Sequence, residues 1–197
     1  MITLGINYFG QPSSCAIVKN GKLLFAIEEE RLTRIKQDGG FPINSVNECL
    51  KFLKISIKDV DAIGAATLPD RLIKRYLKYT LDNFPKSNSL FLSERAFNRM
   101  KFLNNIENYI REKLNFKKKI FFYNHHLCHI ASSHFLSGFK ESCSVSIDGL
   151  GEIESASIGI GKGKKVKMID SITYPDSLGI VYKGITDYLG FDHRTSQ

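Results

Sequence analysis

Short apolar runs separated by polar turns predict that the chain begins with three antiparallel strands. The runs cover residues 3–8, 14–19 and 22–28. Asn20 and Gly21 separate the second run from the third, and an Asn-Gly pair between two apolar runs is a strong hairpin signal. The first part of the chain is therefore predicted to be an antiparallel meander, followed by the polar segment 28–40.

Apolar residues take up helical spacing after this segment. A helix is predicted over residues 42–54, because Val46, Leu50 and Leu53 then share one face. Residues 71–83 and 93–114 are predicted to form two further helices, the second with Ser93 at its start. The remaining predicted elements are strands 61–67, 119–123, 142–147, 155–160 and 166–172, a histidine-bearing helix after residue 123, and a closing helix over residues 178–189.

The order of these elements predicts the fold. The periodicities by themselves indicate only an α/β protein. Three antiparallel strands followed by helix, strand, helix and strand is, however, the order of a ribonuclease-H-like lobe, the half-unit of the actin, Hsp70 and sugar-kinase superfamily. The predicted architecture is an antiparallel three-strand meander plus a mixed sheet with flanking helices.

The composition indicates which class of ligand the protein binds and in which cellular compartment it is expected. The 197 residues are 43% hydrophobic, enough for an ordinary core, and the formal net charge of +8 favours anionic ligands such as nucleotides, phosphates or tRNA without choosing among them. Four cysteines without a CxxC pair, and no recognisable cleavable signal, predict a reduced, cytoplasmic protein. No apolar stretch has the length of a membrane span, so a membrane role is not expected.

Two histidines and an aspartate are the first candidate site. His125 and His129 are four residues apart, so on a helix both imidazoles leave the same face. Asp148 ends an apolar strand beside glycines, and two imidazoles with one carboxylate can hold a divalent metal with positions left open. The alternative is chance spacing of buried, structural histidines. Three other histidines are not assigned to the metal: His126, which leaves another side of the helix and is interpreted as structural or as supporting the ligands, and His134 and His193, for which no partner is predicted.

Two further segments could bind an anion. Gly149 and Gly151 would let backbone amides approach a phosphate closely, or they form a plain β-turn. The mixed-charge segment 28–36 is typical of a solvated surface, but it also places Arg31, Arg34 and Lys36 where a carbamoyl or phosphate group would meet several cations.

Four blocks of the sequence, in order, resemble the O-carbamoyltransferases of the nodulation and antibiotic-tailoring type. They are residues 5–42 (GINYFGQPSSCAIVKNGKLLFAIEEERLTRIKQDGGFP), 124–139 (NHHLCHIASSHFLSGF), 145–161 (VSIDGLGEIESASIGIG) and 174–191 (YPDSLGIVYKGITDYLGF). The resemblance runs from residue 2 to about residue 191. The HxxxH pair is shared with the proteins that make threonylcarbamoyladenosine on tRNA.

The resemblance implies a reaction and a set of site residues. Such enzymes form a carbamoyl-adenylate from carbamoyl phosphate and ATP and transfer the carbamoyl group to a hydroxyl. Implied cofactors are a divalent metal, first Fe²⁺ with Zn²⁺ or Mn²⁺ as alternatives, and Mg-ATP as co-substrate. Residues carried over are His125, His129 and Asp148 as metal ligands, Lys36 and Gln11 as catalytic residues, and Arg34, Gly149 and Gly151 as binders of the nucleotide or carbamoyl group.

The sequence also departs from this family. Many relatives have His-Asp where this chain has Gln11-Pro12, and Lys-His-Asp where it has Lys36-Gln37-Asp38. Glutamine can hydrogen-bond a carbamoyl group but cannot shuttle a proton at neutral pH. Residues 1–191 are predicted to be the N-terminal lobe and 192–197 a short tail, with the second lobe and C-terminal domain absent, so the isolated chain is expected to be inactive.

Three functions stay open. The first is part of a carbamoyltransferase whose partners are carbamoyl phosphate, ATP and a hydroxyl-bearing small molecule. The second is a non-catalytic scaffold or assembly module that forms a homodimer or associates with a second lobe. The third is a tRNA threonylcarbamoylation factor, ranked last because residues 28–42 fit the carbamoyltransferases better and a nucleic-acid partner is not expected.

Overall fold

The computed structural model describes residues 1–9, 12–87 and 93–191, without the side chain of Arg95. The chain forms two compact units, Met1–Phe122 and Tyr123–Gln197. The predicted lobe of residues 1–191 therefore contains two units, and the predicted tail, 192–197, lies outside the described residues.

The first unit is built on a five-stranded mixed sheet. Its strands are β1 (Ile2–Asn7), β2 (Ser14–Lys19), β3 (Lys22–Glu28), β4 (Ala62–Ala65) and β5 (Lys119–Phe122), in the order β3-β2-β1-β4-β5. The first three strands pair antiparallel, and β4 joins β1 and β5 in parallel. This order is that of a ribonuclease-H-like lobe, so the predicted fold class is confirmed.

The local reasons for this sheet lie in its turn and its core. Asn20 and Gly21 both have positive φ (51° and 80°), as the primed turn of a two-residue hairpin requires. Leu4, Ile17 and Ile63 from three adjacent strands are all at most 1% exposed and form the centre of one apolar cluster.

Helices follow and separate the strands of this unit. They are α1 (Glu29–Thr33), α2 (Ile43–Leu53), a 3-10 turn (Ile57–Asp59), α3 (Pro69–Asp82), α4 (Glu94–Asn104) and α5 (Ile106–Leu114). Ser93 caps α4 as predicted, since its side chain accepts from Ala96 N at 3.2 Å. The prediction of one helix over residues 93–114 is wrong, because the backbone of Asn105 (φ −108°, ψ 11°) leaves the helical region. Its side chain also donates to the Lys101 carbonyl at 3.0 Å, a local bond that competes with helix continuation.

The second unit is an antiparallel three-stranded meander. One helix precedes these strands in the sequence and another follows them. Its elements are α6 (His125–Ser137), β6 (Glu141–Ile147), β7 (Glu154–Lys162), β8 (Lys165–Thr173) and α7 (Leu178–Tyr188), and the strands lie in the order β6-β7-β8. Helix α6 packs against all three strands. Among the described residues, no helix is both long and apolar enough to cross a membrane.

The sheet of the second unit buries its polar face. Ser144, Ser146 and Ser157 are buried, whereas Val145 on the other face of the same strand is 64% exposed. The prediction that Asp148 follows an apolar strand is therefore wrong: β6 alternates between polar and apolar residues, and Ser144 and Ser146 are its buried positions. Small residues on this face let α6 approach closely; a Cβ at Gly159 would lie 2.5 Å from Cδ1 of Ile130.

Candidate metal centre

Helix α6 begins where its sequence provides a cap. Asn124 has extended backbone geometry, and its side-chain oxygen accepts from Leu127 N at 2.8 Å, which satisfies one of the unpaired amides of the first turn. His125 is therefore the first helical residue, and His129 follows one turn later. The helix ends at Gly138, whose φ of 77° suits glycine.

The structure brings His125, His129 and Asp148 together within the second unit. Nε2 of His125 lies 2.8 Å from Oδ2 of Asp148 and 3.0 Å from Nε2 of His129. Nε2 of His129 lies 3.6 Å from the same carboxylate oxygen. One ligand atom from each residue thus falls within 4.8 Å of the other two.

These three residues fit a divalent metal in both chemistry and spacing. Metal–ligand bonds of about 2.0–2.2 Å place adjacent ligand atoms on the order of 3.0–3.5 Å apart, close to the separations observed. Two imidazoles and one carboxylate are the donor set of non-haem Fe²⁺ sites and also suit Zn²⁺. The side chains keep 26%, 47% and 36% of their surface exposed, so coordination positions remain accessible from solvent.

The groups around Asp148 lower the pKa of its carboxyl. Hydrogen bonds from His125 and then His129 hold the pKa of the Asp148 carboxyl well below its usual range. Gly149 N adds a third bond, at 2.6 Å to the other carboxylate oxygen, while partial burial opposes the effect. These contacts therefore favour the ionised form of Asp148, which is the form that binds a cation.

Two buried carboxylates lie beneath the first turn of α6. Glu152 and Glu154 are 1% and 2% exposed. Nδ2 of Asn124 donates to Oε2 of each glutamate at 3.2 Å, and His125 N donates to both carboxylate oxygens of Glu152 at 3.2 and 3.1 Å. Sequence reasoning assigned no role to Glu152 or Asn124. The available signal was a helix-capping Asn directly before the first histidine and an acid in the same turn as Asp148.

The neighbouring histidines are structural. His126 is fully buried, and its Nδ1 lies 3.0 Å from Oγ of Ser157, as expected for the structural interpretation. Burial lowers the pKa of His126, with a further contribution from His125. His134, for which the sequence suggested no partner, is also buried; its Nδ1 lies 2.7 Å from Oγ of Ser142 and its Nε2 2.9 Å from the Gly163 carbonyl. His193 lies outside the described residues.

Cys128 lies in the same helix but outside the candidate metal centre. Burial, with a smaller contribution from the nearby Glu152, raises the pKa of its thiol to about 11. Among the described residues, the cluster of possible ligands consists of His125, His129 and Asp148.

The amides of Gly149 and Gly151 already have partners within the turn. Gly149 N donates to Asp148, and Gly151 N donates to the Glu154 carbonyl at 2.7 Å. Gly151 is also required sterically, since a Cβ there would lie 2.8 Å from the His126 ring. Phosphate binding by these two glycines stays a prediction.

The other predicted residues belong to the first unit. Arg34 is exposed and ends α1 in a left-handed conformation, with its backbone N donating to the Glu30 carbonyl at 2.9 Å. Lys36 is exposed in the loop that follows, where Asp38 accepts from Thr33 Oγ1 at 2.9 Å and from Gly40 N at 2.9 Å. Gln11 lies outside the described residues.

The fold and the site together define a class: an α/β protein with a ribonuclease-H-like unit and a candidate two-histidine, one-carboxylate metal centre. The sequence matches the family described as Carbamoyltransferase N-terminus over residues 2–197. The chain belongs to this family.

Several curated proteins are similar over nearly the whole chain. An uncharacterized protein of Synechocystis sp., sll1178, is 33% identical over 195 residues, which is 95% of this chain and 32% of that protein. The nodulation protein NolNO of Sinorhizobium fredii is 29% identical over 189 residues, covering 94% of this chain and 26% of the relative. The chain thus spans about a third or less of the length of these relatives.

Solved structures resemble the chain only distantly. YeaZ from Pseudomonas aeruginosa has a TM-score of 0.45 at 12% identity, covering 89% of this chain and 69% of that one. A ROK hexokinase from Thermus thermophilus also has a TM-score of 0.45, at 14% identity, with coverage of 84% and 47%. Similarity at this level supports no conclusion about function.

Proposed function

We propose that the chain is the N-terminal part of a carbamoyltransferase that takes carbamoyl phosphate and ATP, forms a carbamoyl-adenylate, and transfers the carbamoyl group to a hydroxyl acceptor. Family membership supports carbamoyl transfer in general. The observation that carries the proposal further is the convergence of His125, His129 and Asp148, because catalytic zinc sites are built from three such protein donors with one position left open.

The proposed reaction proceeds in two stages. Carbamoyl phosphate, water and ATP give carbamoyl-adenylate, phosphate and pyrophosphate. The acceptor hydroxyl oxygen then bonds to the carbamoyl carbon, the bond from that carbon to the adenylate oxygen breaks, and AMP leaves as the hydroxyl proton is lost.

The chain's own residues have distinct proposed roles in binding and orientation. His125, His129 and Asp148 would hold Fe²⁺, with Zn²⁺ or Mn²⁺ as alternatives; when bound, the metal supplies positive charge that offsets the nucleotide phosphates. Lys36 would donate to the carbamoyl oxygen and stabilise negative charge on it. Gln11 would hydrogen-bond the carbamoyl amide without moving a proton, and Arg34 would bind phosphate oxygens.

Metal retention tests the site directly. We expect the chain, purified without chelator, to retain about one divalent metal per molecule, and His129→Ala to lose it, because two donors alone bind metal weakly. Elemental analysis of both proteins measures this. Ser132→Ala is the matched control, since Ser132 is exposed on the same helix and bonds only the His129 carbonyl among its described partners. Equal metal content in His129→Ala and in the control would overturn the ligand assignment.

Binding of the carbamoyl donor tests the rest of the proposal on the same protein. Calorimetric titration with carbamoyl phosphate should show binding to the wild-type chain and at least about tenfold weaker binding to Lys36→Ala, since an ammonium that donates to a charged or polarised oxygen contributes about 1.5–3 kcal/mol. Lys54→Ala, another lysine of the same unit, is the control. Failure of the wild-type chain to bind carbamoyl phosphate would count against a donor site in this part of the protein.

A second candidate function is an assembly module of the same superfamily, and one observation favours it. The outer face of the sheet in the second unit carries exposed apolar side chains on neighbouring strands, which is typical of a surface that binds another protein. Carbamoyl transfer by the purified 197-residue chain would exclude this function.

A further inference from the structure

Glu152 joins the N-terminus of the ligand-bearing helix to the turn that supplies the aspartate. Its buried carboxylate accepts from His125 N at 3.2 and 3.1 Å, so it contacts the backbone of the first ligand residue. It also accepts from the side chain of Asn124, whose own oxygen caps Leu127 N. Glu152 follows Asp148 by four residues. The same turn therefore provides one ligand, Asp148, and holds the backbone of a second, His125.

The charge of Glu152 matters as much as its position. The N-terminus of an α-helix carries about half a positive elementary charge. His125 is the first residue of α6, so this helix end opposes a cation held by its imidazole. A carboxylate on the His125 amide offsets that positive end, and its burial protects the interaction from screening by water and salt.

We propose that Glu152 is a positioning residue for the metal centre. It orients His125 by holding the backbone of the first helical turn, and it makes the local field favourable for a divalent cation. It acts through the backbone amide of His125. The inference rests on the proposed metal centre.

Glu154 offers a matched control within the same turn. It is buried to the same degree and accepts from the same Asn124 nitrogen at 3.2 Å, whereas the hydrogen bonds to the His125 amide go to Glu152. General loosening of the turn would affect both positions alike. A role through the His125 amide affects Glu152 and not Glu154.

The test is Co²⁺ binding to the metal-free chain, measured by competition with a chromophoric chelator and by the visible d–d absorption of bound Co²⁺. We expect Glu152→Gln to raise the Kd for Co²⁺ by about 10–100-fold, the usual range for a residue that orients a metal ligand. The d–d bands should also change, because the imidazole of His125 is held less firmly. Glu154→Gln should keep both the Kd and the spectrum close to wild type.

The outcomes separate this inference from the proposed function. If the wild-type chain does not bind Co²⁺, the metal centre itself is wrong. If wild type binds Co²⁺ and the two glutamine variants have equal Kd values, the positioning role of Glu152 is wrong. Should Glu152→Gln fail to fold, Glu152→Asp and Glu154→Asp replace the pair: a greater loss of affinity at position 152 supports the inference, and equal losses overturn it.

Discussion

Three neighbouring groups lower the pKa of the Asp148 carboxyl. Nε2 of His125 lies 2.8 Å from the carboxylate, Nε2 of His129 lies 3.6 Å away, and Gly149 N donates at 2.6 Å; their combined effect outweighs the cost of partial burial. A carboxyl with a depressed folded-state pKa stabilises the fold above its unfolded pKa of about 3.9, and that contribution is lost as the pH falls toward the folded-state pKa. The ionised carboxylate, which is the form that binds a cation, is therefore favoured at Asp148.

Removing the imidazole of His125 should raise the pKa of Asp148. In the metal-free protein, His125→Ala is expected to raise the pKa of Asp148 toward the ordinary aspartate range, because the largest cause of its depression is gone. NMR titration of the side-chain carboxyl ¹³C resonance measures the change. Asp59 is an internal control, since Ser56 lowers its pKa through backbone and hydroxyl bonds in the other unit. An Asp148 titration identical in wild type and variant would mean that the two side chains do not interact in solution.

The close contact between helix α6 and its sheet requires glycines on the sheet as well as the side chains of the helix. Gly159 and Gly161 on β7 face Ile130 and His134, and a Cβ at either glycine would overlap these side chains. Ser142 then bonds the His134 ring from β6. Because the helix backbone approaches the sheet closely, its first two turns, which carry both histidines, lie at the end of β6 where Asp148 follows.

A methyl group at this contact should therefore weaken the second unit. Gly161→Ala places Cβ against the His134 ring, which is held at both nitrogens and cannot move aside cheaply. We expect a loss of about 1–3 kcal/mol in the free energy of unfolding, the usual range for overpacking, from urea denaturation. Gly184→Ala is the control: its Cβ meets open space in α7, and replacing a mid-helix glycine should add up to about 1 kcal/mol. Equal stabilities for the two variants would mean that α6 is not packed this closely.

The elements that sequence predicted well are those with a local cause. Asn20-Gly21 and Ser93 act through bonds within a few residues, so the hairpin and the helix start could be predicted. Asn105 was missed because its helix-ending bonds leave the apolar spacing of residues 93–114 intact. The pairing of two histidines with Asp148 could be predicted as a set of ligand types, but the contact of Glu152 with the His125 amide depends on how α6 packs against β7, which no local pattern encodes.

At the scale of the whole molecule, the second unit has an exposed apolar surface on one face of its sheet. The outer sheet face carries Val145, Ile147, Ile158, Ile160 and Ile172, which are 39–64% exposed, with the exposed Lys167 and Asp170 of β8 beside them. Within α7, residues 178–188, no side chain is buried. Exposed apolar side chains that are neighbours on a surface are typical of a protein–protein contact, so this face predicts association or a tendency to aggregate.

Self-association of the chain should therefore depend on this outer sheet face. We expect the wild-type chain to sediment with a mass that rises with concentration, and Val145→Glu with Ile160→Glu to remain monomeric, because burying two unpaired carboxylates opposes association. Both side chains face solvent, so the fold should be retained, which circular dichroism would verify. Leu81→Glu is the control, since Leu81 is 75% exposed on α3 in the other unit. A monomeric wild type at every concentration would remove the support for an assembly module, whereas association that persists in the double variant would locate the contact elsewhere.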